Sequence, residues 1–172
     1  MAGATGEGAG VRLSEHDRFW GYVVKGPAPD DCWLWTGAVS DDGYGRFWTK
    51  PVGGRQRAVR PQRYAFEEVT GAALSSTTLL LHACDVPLCV HADADPERSH
   101  VSPGTHRDNM LDRAQKGRHR NGWTADRYRG LPREERVRQS RELRDAVRTH
   151  GWDTDLIRRA LNGIGPDQPT LW

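Results

Sequence analysis

The reading of this chain turns on His82-Ala83-Cys84-Asp85-Val86-Pro87-Leu88-Cys89, followed by His100 and Asn109. Cys84 and Cys89 have four residues between them, a spacing that lets two thiolates converge on one metal ion from a turn or knuckle. Two imidazoles compete for the third position: His91, just past Cys89, and His100, beyond an acidic loop. Cys32, far upstream at the start of an expected strand, completes a Cys3His set, the donor chemistry of a closed structural zinc site. Such a site contributes roughly 10–16 kcal/mol of apparent binding free energy at neutral pH. The alternative is three cysteines buried as small hydrophobes. Turn-rich surroundings weigh against it, and the odd number weighs against a disulfide scaffold.

Composition makes the metal consequential. The chain has 172 residues, 36% hydrophobic and 28% charged, with a mean hydropathy of −0.77. A core so modest gains from a metal or a partner. No apolar run approaches the ~18 residues of a membrane span. The Gly/Ala-rich start, 1–10, lacks the basic and apolar regions of a secretory signal, so a cytoplasmic protein is expected. Net charge is only +2, but residues 107–148 carry thirteen Lys and Arg against seven Asp and Glu. Nearly all these cations are arginine, whose planar fork suits phosphate. High-GC coding also yields arginine, so the charge alone does not establish nucleic-acid binding.

Working outward, residues 1–12 read as a disordered tail. A helix is expected over 14–24, with Ser14 as its N-cap. Residues 32–37 and 46–49 read as a hairpin around the turn Asp41-Asp42-Gly43-Tyr44-Gly45, with a third strand over 56–59. Trp33, Trp35 and Trp48 lie on it, and some of them would pack beneath it. Pro61 opens a helix over 62–69 that Gly71 stops. Residues 78–84 are β-like, 85–99 irregular, and 105–116 helical with Thr105 as cap. Two more helices are expected over 132–150 and from Asp153 or Thr154 to about 162, with a spacing compatible with helix-turn-helix. A docked helical hairpin fits them equally well.

Several strings in order resemble the zinc-containing HNH (His-Me finger, ββα-metal) homing-type endonucleases, which are similar to the His-Cys box and phage HNH enzymes. They are Asp31-Cys32-Trp33-Leu34-Trp35-Thr36-Gly37, then Gly43-Tyr44-Gly45-Arg46-Phe47, then Arg63-Tyr64-Ala65-Phe66-Glu67 with Gly71. The His82 to Cys89 string, His100, Pro103-Gly104-Thr105, Asp108-Asn109 and Lys116-Gly117-Arg118 complete the series. Two features depart from that pattern. Ten residues, 90–99, separate Cys89 from His100, which reads as an insertion, and Gln62 stands where the family often has histidine. The register from His100 to Asn109 favours His100 over His91 as the zinc ligand.

The resemblance implies an α+β fold: a small ββα-metal core with an N-terminal β-hairpin, a structural zinc and a C-terminal helical arm. The nuclease domain would cover 13–118, a basic connector 119–131 and the arm 132–172. His82 would be the general base. Asn109 would ligate Mg²⁺ or another divalent cation, and Arg63 would approach the scissile phosphate. Zinc would sit behind them on Cys32, Cys84, Cys89 and His100. The expected activity is hydrolysis of double-stranded DNA to a 5′-phosphate and a 3′-hydroxyl, with Arg107, Arg113, Lys116, Arg118, Arg120, Arg158 and Arg159 on phosphates. Cutting both strands would call for a homodimer. Two other readings are a catalytically silent zinc-stabilised DNA-binding or phage accessory protein, and an effector that degrades nucleic acid without site preference.

Overall fold

Ser14 starts the first helix as its sequence predicts. Its hydroxyl oxygen accepts from the Asp17 backbone N–H at 3.0 Å, and the Asp17 carboxylate takes the Ser14 proton at 2.6 Å. The computed structural model describes residues 13–50, 53–116 and 132–161; the expected tail and connector lie outside them. α1 (Glu15–Trp20) is shorter than expected, because Gly21 ends it. Val23 and Val24 then go to β1 (Val23–Lys25), where β-branched side chains fit the pleat. β1 pairs antiparallel with β2 (Trp33–Trp35), Val23 opposite Trp35. The expected hairpin of 32–37 with 46–49 is therefore corrected. A separate strand, β3 (Ala38–Val39), turns back through Asp41–Gly45 to pair with β4 (Gly45–Thr49). β5 (Arg57–Val59) adds to the other edge of β4.

α2 (Pro61–Thr70) begins on its proline and ends at Gly71, which takes a left-handed φ of 68°. β6 (Leu79–His82) pairs with β7 (Val101–Gly104), His82 opposite Val101. Periodicity gives no hint of β7, which is short and contains Pro103. α3 (His106–Gln115) follows with a capping box between Thr105 and Asp108. α4 (Arg133–His150) and α5 (Thr154–Leu161) close the chain. Asp153 caps α5, its Oδ1 accepting from the backbone N–H groups of Asp155 and Leu156 at 2.9 Å. The whole is a mixed α and β structure with three small sheets among the described residues.

One apolar core joins these parts. Phe19 stacks on Trp35 at 5.3 Å and meets Phe47 at 5.1 Å and Tyr64 at 4.4 Å. Leu34, Leu88, Val90 and Val101 continue it, and Leu143, Val147, Ile157 and Ala160 bring both C-terminal helices into the same cluster. The arm is thus a helical hairpin docked on the β3–β4 turn. Arg133 donates to the Asp41 carbonyl at 2.7 Å. A Cβ on Gly43 (φ 86°) would stand 3.0 Å from the Ser140 hydroxyl oxygen. Trp35 is buried as expected and Trp33 half-buried, while Trp48 lies exposed outside the core. No described helix is long and apolar enough to cross a membrane.

The shared core makes the arm part of the folding unit. Leu143→Ala should cost about 2–5 kcal/mol, read by urea denaturation, and the loss should register in Trp35 fluorescence as well as in helical circular dichroism. A tryptophan transition that stays put while the helices melt early would refute this.

Candidate metal centre and adjoining groove

Backbone pairing carries the four ligands to one place. Residues 88–90 run beside β2: Trp35 N–H donates to the Leu88 carbonyl at 2.9 Å and Val90 N–H to the Trp33 carbonyl at 2.8 Å. That sets Cys89 next to Cys32, which immediately precedes β2. The β6–β7 ladder continues one step further, through Ala83 N–H to the His100 carbonyl at 2.9 Å. His100 therefore arrives beside Cys84. The thiols of Cys32, Cys84 and Cys89 and a ring nitrogen of His100 all lie within 4.8 Å of one another.

The donors fit a zinc ion in distance as well as type. Zn–S and Zn–N bonds of about 2.3 and 2.0–2.1 Å in a tetrahedron place S and N about 3.5–3.6 Å apart. His100 Nδ1 stands 3.5 Å from Cys32 Sγ and 3.5 Å from Cys89 Sγ. The charge distribution suits a cation as well. Hydrogen bonding from Cys32 holds the Cys84 thiol far below its ordinary value. The same contact pushes Cys32 up, and burial pushes Cys89 up. The Cys84 thiolate in turn raises His100. A dication would replace those shared protons and leave all three thiolates in one site.

His91 is set apart. Its Nδ1–H donates to the Asp31 carbonyl at 2.7 Å, and its ring lies flat on Trp33, 4.3 Å away at 6°. The ring also tilts against His100 at 4.4 Å, so His91 covers the cluster without joining it. Nothing in the spacing alone pointed to this covering role.

His82 sits on the other side of the knuckle, only 9% exposed. Its Nε2 is 3.1 Å from the Cys89 carbonyl oxygen. A carbonyl only accepts, so Nε2 carries the proton and the Nδ1 lone pair is left as the basic position. Burial lowers the pKa of His82 and keeps it neutral. With Tyr44, Asp85, Asn109 and Asp112 it lines a cavity of about 70 Å³. Asn109 also lines a larger groove of about 390 Å³, together with Tyr44, Gln62 and Arg63. The structure thus brings His82 and Asn109 to one cavity and Arg63 to the next.

Other expected residues are placed differently. Lys116, read as a phosphate contact, is spent inside the protein: its ammonium donates to the His82 carbonyl at 2.7 Å and to Asp85 and Asp112 at 3.0 and 2.9 Å. This ties the end of α3 to the end of β6, with Asp85 in a left-handed backbone at φ 58°. The i,i+4 spacing from Asp112 was its only signal in the sequence. Arg63 donates to the backbone carbonyls of Thr78, at 3.0 Å, and Ser75. It does not pair with Glu67, whose carboxylate accepts from Leu74 N–H. Arg107 and Arg113 are exposed on α3. Arg158 pairs with Asp155 at 2.9 Å, and Arg159 is exposed beside the α4–α5 cleft. Arg118 and Arg120 lie outside the described residues.

The sequence reading missed one ion pair, Arg60 with Asp42. Burial works to raise the Asp42 carboxyl, but the Arg60 hydrogen bond and charge outweigh it and hold it at about 2. The pair anchors the β3–β4 turn to the start of α2, and Arg60 lies over the Tyr44 ring at 5.1 Å.

Zinc-loaded protein should carry one equivalent of zinc, and Cys84→Ser or chelation should remove it and collapse the near-ultraviolet circular dichroism of the core. Loading should also fall on acidification, because protons compete for the thiolates. Retention of full structure in metal-free protein would refute the structural role. Lys116→Met should lower stability by about 1–3 kcal/mol, because it takes the ammonium away from two quarter-exposed carboxylates. Equal melting temperatures for variant and parent would show the clamp to be idle.

No family model matches the chain, and no solved structure matches it. Among curated proteins it is similar to two from Escherichia phage T7. It is 37% identical to Protein 7.7 over 93 residues, covering 54% of this chain and 62% of that protein. It is 37% identical to Protein 2.8 over 92 residues, covering 54% and 55%. The chain therefore spans a little over half the length of each phage relative it resembles.

Proposed function

We propose that this protein is a metal-dependent DNA endonuclease whose β6, β7 and α3 form a ββα-metal core stapled by zinc. One observation carries the reading: His82, from a strand end, and Asn109, from the facing helix, line one cavity backed by the Cys3His cluster. The similarity to phage proteins is compatible with it and assigns no chemistry.

The division of labour follows from the side chains. The Cys89 carbonyl fixes the His82 tautomer and leaves Nδ1 free to take a proton from water. That water's oxygen attacks phosphorus, the bond from phosphorus to the 3′-oxygen breaks, the leaving oxygen takes a proton from solvent water, and the products are a 5′-phosphate and a 3′-hydroxyl. The Asn109 amide oxygen, with carboxylates on the same cavity wall, suits a hard divalent cation such as Mg²⁺. When bound, that ion would supply charge stabilisation to the phosphate and the leaving oxygen. Arg63 brings positive charge from the adjoining groove. Cys32, Cys84, Cys89 and His100 hold zinc and touch no substrate. Arg107 and Arg113 on the exposed face of α3 would meet backbone phosphates of double-stranded DNA. Among the described residues each chain has one such centre, so cleavage of both strands in one encounter would call for a homodimer.

A second reading is a zinc-stabilised DNA-binding protein without catalysis. Lys116 favours it, because its ammonium already neutralises Asp85 and Asp112 beside a cavity of only about 70 Å³.

His82→Ala decides between them. The nuclease reading expects plasmid nicking with Mg²⁺ to fall about 10²–10⁴-fold, with zinc content and DNA affinity unchanged. Wild-type protein that binds DNA and never nicks it with Mg²⁺, Mn²⁺ or Ca²⁺ establishes the binding module instead.

A further inference from the structure

The strand face that reaches the cavity continues away from it as a basic surface without acids. Residues 43–66 carry six cations, Arg46, Lys50, Arg55, Arg57, Arg60 and Arg63, and no Asp or Glu. Asp42 neutralises Arg60, and backbone carbonyls hold Arg63. The other four are exposed, and none has a carboxylate partner among the described residues. Glu15 reaches this end of β4, but the Thr49 hydroxyl and the Lys50 backbone N–H already engage its carboxylate.

Alternation along β4 puts Tyr44, Arg46 and Trp48 on one face. Tyr44, just before the strand, lines the His82 cavity, with its ring 6.2 Å from the imidazole. Trp48 lies four residues on, about 13 Å away at ~3.3 Å per residue. Opposite Arg46 and Trp48 stand the small, exposed Ala38 and Ala58, so the two larger side chains rise above the sheet. The Arg46 guanidinium rests over the Trp48 indole at 5.3 Å, and the indole is 42% exposed. This stacking holds the guanidinium fork extended before any ligand arrives. Single-sign charge along a strand that leads to the cavity matches a phosphate backbone.

We propose that the outer face of β4 is a track for duplex DNA beside the cleavage site, with Arg46 bound to a backbone phosphate and Trp48 as the platform that positions its guanidinium. The inference takes DNA as the partner from the proposed function and adds a contact outside the catalytic cavity. Lys50, Arg55 and Arg57, exposed at the far end of β4 and β5, extend the attraction along the duplex. Tyr44 marks the end of the track where the strand enters the cavity. A phosphate fixed on Arg46 holds the strand a few nucleotides from the scissile bond, since one strand carries a phosphate per ~3.4 Å of helix axis.

The test uses full-length zinc-loaded protein and a mixed-sequence DNA duplex. Binding is followed by fluorescence anisotropy in Ca²⁺ across a salt series, and nicking by steady-state kinetics in Mg²⁺. Arg46→Gln should bind about five- to tenfold more weakly at 0.1 M salt and flatten the slope of log affinity against log salt by about 0.9, the signature of one lost phosphate contact. It should raise KM and leave kcat unchanged. Arg46→Lys should restore the slope, a rescue that a merely structural role would not give. Trp48→Ala should weaken binding about threefold, and should add nothing in the Arg46→Gln background, because the indole acts through the guanidinium. Arg158→Gln, which removes a cation already paired with Asp155, should leave the slope as it is. An Arg46→Gln slope and affinity equal to wild type overturn the proposal while His82-dependent cleavage, and so the nuclease reading, stands. An equal slope change in Arg158→Gln also overturns it, in favour of diffuse charge. Tighter, Trp48-dependent binding of a single strand of the same length overturns it in favour of a base-stacking platform. Arg46-dependent duplex binding without nicking supports this track and sinks the nuclease reading alone. If wild type binds no duplex, both fall together.

Discussion

The pairing of residues 88–90 with β2 is the contact on which the rest depends. Two backbone hydrogen bonds, Trp35 to Leu88 and Val90 to Trp33, bring the knuckle cysteines to Cys32 across more than fifty residues of chain. Without that alignment the three thiols would belong to unrelated loops. With it, four donors arrive within 4.8 Å of one another, and a metal can close loops whose entropy a small core could not otherwise offset. The apolar share of the same pairing is also large, since Leu34, Leu88 and Val90 are almost completely buried.

The knuckle has two working faces. Cys84 and Cys89 point to the metal centre, while the Cys89 carbonyl points to His82. The catalytic candidate is thus oriented by the backbone of a candidate metal ligand, and any slackening of the cluster reaches the imidazole directly. From the other side, Lys116 grips the His82 carbonyl and the α3 carboxylate Asp112 together. This sets the distance between the strand end and the helix that carries Asn109. A cation expected to serve DNA serves geometry instead, because three oxygens of the protein already take its ammonium.

The C-terminal helices belong to the same core as the strands. Their arginines divide by neighbourhood: Arg138 is held by Glu135 and Glu142, Arg144 by Asp145, and Arg158 by Asp155. These cations of the arm are therefore locally neutralised. Arg107 and Arg113 on α3, beside the candidate cavity, carry the charge argument better than the arm does.

Local signals in the sequence determined the helices and their ends. Ser14, the Thr105–Asp108 box, Pro61, Gly71 and Asp153 act on backbone groups within a few residues, so their effect is fixed before any tertiary contact forms. The Cys3His set was legible for a related reason, because soft donors at knuckle spacing restrict the chemistry. Strand partners were not, since pairing is a choice among distant segments: β1 read as the end of a helix, β7 gave no periodic signal, and β2 took a different neighbour. Only the tertiary structure set His91 as a cover on the cluster, turned Lys116 inward and left Gln62 Oε1 without a partner among the described residues. Each of those outcomes depends on which chain segment lies opposite, and that is decided by the common burial of β2, the knuckle and the two C-terminal helices in one core.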